Sequence, residues 1–527
     1  MMQACAPCPL CNVAMASNPH HGGILAFVTL SGQGTPMIHL KSIAAGAAVL
    51  WAAFPAHASD DAIDSATNIA LDHHIESTMQ VFGTVGASVA ILRDGDLVYE
   101  NHFGVRNREG RLAPNGDTAY TIWSMTKLFF NVELLRAVEA GSIDLDATLG
   151  ETFEDLPESW RPITLRQAYS HISGLPDIFP AYLNSDEATA IAGIVNEPML
   201  FEPGSRSEYN QTNFSFMRQH LEAVTGEAYS DLLFSHQIEP LELRHTSFSV
   251  ETAGEDQAPN YRLSRQNPND VVAIDLPEFA DYFRSSVGLH ASLNDLVDWS
   301  QSLLSGTLVS RETLLEHWAP QYLNDGTLAE HTHGWELESR GAMIAIGHGG
   351  GGRVNLRNYF DPTSPDGGIT VIYLDNGGLQ NFNHRSLSAR LADQIQPGIA
   401  FEEERLFGAL IAAVARGSTA DAAMALADHA SVHADPTGRR EGELNRIGYA
   451  TLRLHGAAAA IPVFEAEALL FPSSWNSQDS LGEAYLGADR FEDALRQYQR
   501  ALELDPGSER IAAIIADIQS RLADEGH

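Results

Sequence analysis

The chain has 527 residues, about three times the ~150-residue size of a common domain, and its 44% hydrophobic and 19% charged content excludes a disordered or collagen-like polymer. With 69 acidic against 32 basic residues the formal charge is −37, so the surface repels phosphate backbones and nucleic acid is excluded as a partner.

The three cysteines, Cys5, Cys8 and Cys11, all precede residue 12, so nothing downstream forms a disulfide or a thiolate metal site. Their C-x-x-C-x-x-C spacing lacks a fourth cysteine and is not read as a metal centre. Met37 to Lys41, the apolar run Ile43 to Phe54 and the triplet Ala56-His57-Ala58 have the order of a signal peptide. Residues 1–36 are then an upstream extension, residues 37–58 a signal cleaved near Ala58, and the product is secreted or periplasmic. The apolar run is too short for a permanent membrane anchor.

Ser88 to Leu92 and Leu97 to Tyr99 flank Asp94-Gly95, the signature of a two-residue β-hairpin. The next informative segment is Thr121-Ile122-Trp123-Ser124-Met125-Thr126-Lys127, an S-x-x-K that opens a helical run ended by Gly141, with Thr121 as N-cap. Lys127 and Lys41 are the only lysines, so after signal cleavage Lys127 is the sole one. Arginine stays protonated near neutral pH, whereas a desolvated lysine amine can act as a base. At spacing i, i+3 the Ser124 hydroxyl and the Lys127 amine share a helix face and can meet. Ser124 falls in the first turn, where its N–H lacks an intrahelical partner and can serve an oxyanion.

From Thr164 to Gly306 the pattern is mainly helical. Within it, Pro203-Gly204 leads to Tyr209 and then to an amphipathic run ending at Thr225-Gly226. Ile344 to Ile346 is a short strand running through Gly347-His348 into Gly349-Gly350-Gly351-Gly352, a tract that lets a ligand approach the backbone closely. Ile369 to Leu374 is another strand, and Ser386 to Ile395 a helix. His331-Thr332-His333 reads as loop histidines, since no H-E-x-x-H accompanies it. No G-x-S-x-G occurs. After about residue 400 an alanine-rich helical sequence repeats every 34 residues: Gly448 recurs as Gly482, Ala460 as Ala494, Phe464 as Tyr498 and Pro472 as Pro506. Leu481-Gly482, Tyr485, Ala494, Tyr498, Ala501 and Pro506 fit a tetratricopeptide pattern. Ile511 to Leu522 is a capping helix.

These segments together resemble the serine beta-lactamase and penicillin-binding-protein-like family, in its class C beta-lactamase, D-alanyl-D-alanine carboxypeptidase and esterase branch. The likeness spans about residues 62–398. It rests on the S-x-x-K, Leu165 to Pro176, Pro203-Gly204 to Tyr209, Ser285 to Ser292, Gly334-Trp335 and His348-Gly349-Gly350, in family order. The resemblance implies an α+β fold: a beta-lactamase/transpeptidase-like antiparallel sheet flanked by helices, with a helical lobe. It occupies residues 59–400, and an all-α tetratricopeptide-like module follows at 401–527. His171 and Ser173 then hold the helical lobe against the site.

The resemblance implies an exported serine hydrolase acting through an acyl-Ser124 intermediate on an ester, D-amino peptide or β-lactam carbonyl. Lys127 or a Tyr209 phenolate is the base, His348 is a further catalytic residue bonded to Tyr209 or substrate, and the N–H groups of Ser124 and Gly351 bind the oxyanion. Gln211, Gly350 and Gly351 bind substrate. Gln211 stands where the family has Asn, and His348 where lactamases have Lys, which weakens recognition of a penicillin carboxylate. No metal or organic cofactor is required. The partners are a small-molecule or peptide substrate and a protein bound through the C-terminal repeats. The alternative is a non-catalytic scaffold that uses the lactamase-like fold for ligand recognition and the repeats for partner binding.

Overall fold

The computed structural model describes residues 63–248, 256–267, 270–276, 279–433 and 439–525. The cysteines, the signal-like segment and Lys41 lie outside the described residues. The first helix, α1 (Ser65–Phe82), is capped by the Asp64 carboxylate on the Thr67 N–H and stopped by Gly83 in the left-handed conformation.

The chain then enters β1 (Gly86–Arg93) and β2 (Asp96–Gly104), which meet at Asp94-Gly95 with φ of 54° and 90°. That left-handed pair is what a two-residue hairpin between right-twisted strands requires. The other strands of the main sheet come from far along the chain: β3 (His331–Thr332), β4 (Trp335–Arg340), β5 (Met343–Gly350), β6 (Val354–Asp361) and β7 (Ser364–Asp375). The order is β2-β1-β7-β6-β5-β4-β3, with every neighbouring pair antiparallel. Val89 lies opposite Tyr373 and Ile91 opposite Val371. Both ends of the domain thus build one sheet, and the long segment between them forms the helical lobe.

Alternation along the strands divides the core. Ala90, Leu92, Ile346, Leu356 and Ile372 face α2 (Thr126–Glu139) and, further into the lobe, α3 (Gln211–Thr225). Val89, Ile91, Ala345, Val371 and Tyr373 face the opposite way, against α1 and α4 (His384–Ile395).

The remaining chain is all-α: α5 (Glu402–Arg416), α6 (Ala420–Val432), α7 (Arg440–His455), α8 (Ala457–Leu470), α9 (Trp475–Gly487), α10 (Phe491–Leu504) and α11 (Glu509–Glu525). The 34-residue period has a packing cause. A Cβ on Gly448 would lie 2.3 Å from the Phe464 ring, and one on Gly482 would lie 3.1 Å from the Tyr498 ring. In each hairpin a glycine therefore seats the aromatic of the next helix. Pro462 lies within α8, which runs from Ala457 to Leu470 in spite of it.

The helical module does not begin with a core of its own. Phe407, Leu410, Ile411 and Val414 of α5 and Leu444 and Ile447 of α7 share one apolar cluster with α1, α4 and the outer sheet face. Arg340 of β4, 1% exposed in its side chain, pairs with Glu404 of α5, and buried Arg440 pairs with Glu403. A separate cluster begins only at α8, with Ala460 and Phe464 packed among Leu481, Tyr498 and Ile518.

Candidate active site

Ser124 sits on a single 3-10 turn, Trp123–Met125, that feeds directly into α2. Thr121 is not the N-cap expected of it. It ends a short strand, Ala119–Thr121, paired to His290–Ser292, and its hydroxyl accepts from the Asn260 amide at 2.9 Å. The turn is tight because Trp123 takes φ of 49°, an uncommon conformation for a bulky residue and one that clusters at functional sites. The glycine tract after β5 holds this strained turn in place. A Cβ on Gly350 would fall 2.3 Å from the Ile122 carbonyl, and one on Gly351 would fall 2.8 Å from the Trp123 indole. Only glycine lets the strand end approach the nucleophile turn so closely. The Gly351 N–H donates no hydrogen bond among the described residues.

Lys127, one residue into α2, is fully buried. Its amine donates to Gln211 Oε1 at 2.9 Å and to the Ser286 carbonyl at 3.0 Å, and lies 4.9 Å from the ring centroids of both Tyr209 and Phe214. Neither oxygen partner is ionised. Burial pushes the amine well below the ordinary lysine value of 10.5, while Asp177 and Glu336 pull partly the other way. A neutral amine with two donors engaged keeps one lone pair, the electronic requirement of a base.

Tyr209 closes the triangle, its hydroxyl facing both Ser124 and Gln211. Although Tyr209 is 36% exposed as a residue, desolvation around its hydroxyl raises the phenol above its ordinary range, outweighing the opposing effect of Ser124 and Gln211. The ring is held between His171 and His331, with centroids at 4.7 and 5.7 Å. The His171-Ser173 stretch pins the segment that carries it: His171 Nδ1 accepts from the Asn210 N–H at 3.1 Å, and Ser173 donates to Asn213 Oδ1 at 2.6 Å. The hydrogen bonds of the Lys127 amine go to Gln211 and Ser286 rather than to Ser124 as expected, and Gln211, at the first position of α3, lies beside both lysine and tyrosine.

His348 is buried on β5. Its Nδ1 donates to the Gly349 carbonyl at 2.6 Å, its ring centroid is 5.7 Å from that of Tyr209, and Nε2 has no partner. Burial pushes it down to about 4, so at neutral pH it is an uncharged imidazole presenting a lone pair.

Several groups escaped the motifs. Asp177 accepts from the Gln211 N–H at 3.0 Å and is pushed up by burial to about 6. Glu336 of β4 bonds Arg357, Arg385 and the Gly349 N–H, and those arginines together with His348 hold its carboxyl well below the usual range despite burial. His331 is a buried strand residue rather than a loop histidine, and His333 is buried as well, bonded to Arg166. His331, Glu336 and His348 place ligand atoms within 4.8 Å of one another. With two guanidiniums already on Glu336, the group is an ion-pair network rather than a vacant cation cage.

Ser124, Tyr209, His331, His348 and the Gly349–Gly352 tract line a pocket of about 470 Å³. A larger cavity of about 610 Å³ lies at the β1–β2 turn and the start of β7, lined by Asp94, Asp298 and Gln301, with no lysine or histidine among its described lining residues.

A family model described as Beta-lactamase matches residues 71–396, which include Ser124, Lys127, Tyr209, Gln211 and His348. The chain belongs to the beta-lactamase family. A D-aminopeptidase from Brucella anthropi is 28% identical over 292 residues, 53% of this chain and 54% of that protein. Protein flp from Staphylococcus aureus strain MW2 is 23% identical over 243 residues, 44% of this chain and 47% of that protein. The chain thus spans about half the length of the curated relatives it matches. The octameric penicillin-binding protein homologue from Pyrococcus abyssi shares the fold with a TM-score of 0.53 at 23% identity, over 64% of this chain and 80% of that one. The D-amino acid amidase from Ochrobactrum anthropi SV3 does so with a TM-score of 0.50 at 24% identity, over 63% and 98%.

Proposed function

We propose that this chain is a serine hydrolase whose Ser124 forms an acyl-enzyme with an ester or D-amino peptide carbonyl. The observation that carries the reading is the buried amine of Lys127, bonded to two uncharged oxygens on the helix that continues from the Ser124 turn. Tyr209 bridges to the nucleophile. Because burial lowers the lysine and raises the phenol, Lys127 is the base and Tyr209 a neutral relay between amine and hydroxyl. The Ser124 proton passes to Lys127 as Oγ bonds the carbonyl carbon, and the oxyanion is held by the N–H groups of Ser124 and Gly351. Collapse breaks the bond to the leaving alcohol or amine, which departs with that proton. Water then adds to the acyl carbon, gives a proton to Lys127, and releases the acid as Ser124 regains its hydrogen.

Esters and D-amino peptides are favoured over penicillins because uncharged His348 offers no cation to a lactam carboxylate. The names of the relatives, D-aminopeptidase and D-amino acid amidase, support the same direction. Export follows from the signal-like segment. No described helix is long and apolar enough to cross a membrane. The test is a neutral fluorophosphonate probe followed by peptide mapping. The adduct is expected on Ser124 and absent from Ser124→Ala; an adduct elsewhere, or none, refutes the reading and leaves the non-catalytic scaffold.

A further inference from the structure

The pocket that holds Ser124 is not closed by the family's residues alone. Arg439 and Arg446 line it too, and both lie outside the matched span 71–396, at the start and in the second turn of α7 in the helical module. In a chain with 69 acids and 32 bases, three arginines on one pocket wall, these two and Arg385, are out of keeping with the surface. The acids lining the same pocket are Glu330 and Glu336. Glu336 is already shared between Arg357 and Arg385.

Arg446 is the least satisfied of these cations. It forms no ion pair among the described residues, and its Nε is buried without a hydrogen-bond partner. Its charged neighbours are Glu443, which attracts it, and Arg439, which repels it. Glu443 itself accepts from the Asn383 amide at 3.2 Å. A half-buried guanidinium of this kind on a cavity wall lacks the anion that its planar fork would hold in bidentate fashion.

We propose that the helical module completes the substrate pocket and that Arg446, which lines it together with Arg385, receives a carboxylate carried by the substrate away from its scissile carbonyl. The inference rests on the serine hydrolase reading above and adds to it a substrate class. It also gives the module a role within this chain: it supplies cations that the lactamase-like domain lacks at its own motif position.

The test uses the full chain and two matched substrate pairs. One is the p-nitrophenyl monoester of glutaric acid against p-nitrophenyl butyrate, with the carboxylate on the acyl side. The other is a D-alanyl dipeptide against its C-terminal amide, with the carboxylate on the leaving group. The readout is the ratio of kcat/KM, acid over neutral. In at least one pair Arg446→Ala is expected to lower that ratio about tenfold to a hundredfold, as loss of a charge-assisted bidentate contact does. Arg446→Gln, which keeps the stem in place, should lower it similarly, Arg446→Lys less, and high salt should compress the wild-type ratio. A ratio within threefold of wild type in both pairs, with Ser124 still labelled by the neutral fluorophosphonate, overturns the inference alone. Failure of Ser124 to label overturns the hydrolase reading beneath it.

Discussion

Among single residues, the balance at Lys127 is the most exposed to test. Burial drives the amine toward neutrality, and the two carboxylates that oppose it are Asp177 and Glu336. Above about pH 6 Asp177 is ionised and stabilises the ammonium, which raises the lysine. Hydrolysis needs the neutral amine, so kcat/KM should climb with pH through the Lys127 ionisation and then level. Asp177→Asn removes an anion that favours the charged form. The acid limb of the profile should therefore move to lower pH, measured with a neutral ester so that substrate ionisation does not intrude. An unmoved limb, or a shift to higher pH, would show that Asp177 does not tune the base. Asp177 was invisible in the sequence because its role depends on a loop folding back under α3. The same holds for Glu336 and His331, which reach the pocket only through strand pairing at the far edge of the sheet. Ser124, Lys127 and Tyr209 were legible because each lies in a short motif whose chemistry is local.

For the elements, the sheet and the S-x-x-K helix followed from alternation, the Asp94-Gly95 turn and helical periodicity. The repeat followed from its period, since each glycine must accept a facing aromatic. Less legible was how the helical module joins the rest. The alanine-rich composition and the family resemblance placed a boundary near residue 400. The apolar cluster instead runs from the outer sheet face through α1 and α4 into α5 and α7, with Arg340–Glu404 crossing the same boundary. Truncation after residue 400 should therefore expose Leu71, Ile75 and Leu391 and give aggregated protein. Truncation after residue 472, which removes α9 to α11 with Leu481, Tyr498 and Ile518 and leaves the cluster joined to the outer sheet face intact, should leave soluble protein that still labels at Ser124. Expression of both fragments with size-exclusion analysis decides between them. Equal solubility of the shorter fragment would restore the separable domain.

In the whole molecule, the composition carries the sharpest statement about mechanism. The protein meets nearly every need for a cation with arginine, including buried pairs at Arg340, Arg357 and Arg440, and keeps lysine beside the nucleophile. If Lys127 served only as a positive charge, arginine would do as well there as elsewhere. If it must take the Ser124 proton as a neutral amine, arginine removes the base, because the guanidinium does not deprotonate near neutral pH. The decisive measurement is the rate of acylation of Ser124 in Lys127→Arg, followed with a chromogenic ester in the full chain, with folding checked by circular dichroism. The account predicts a loss of about 10²–10⁴-fold with the fold intact, the usual contribution of a general base. Acylation within about threefold of wild type would contradict it.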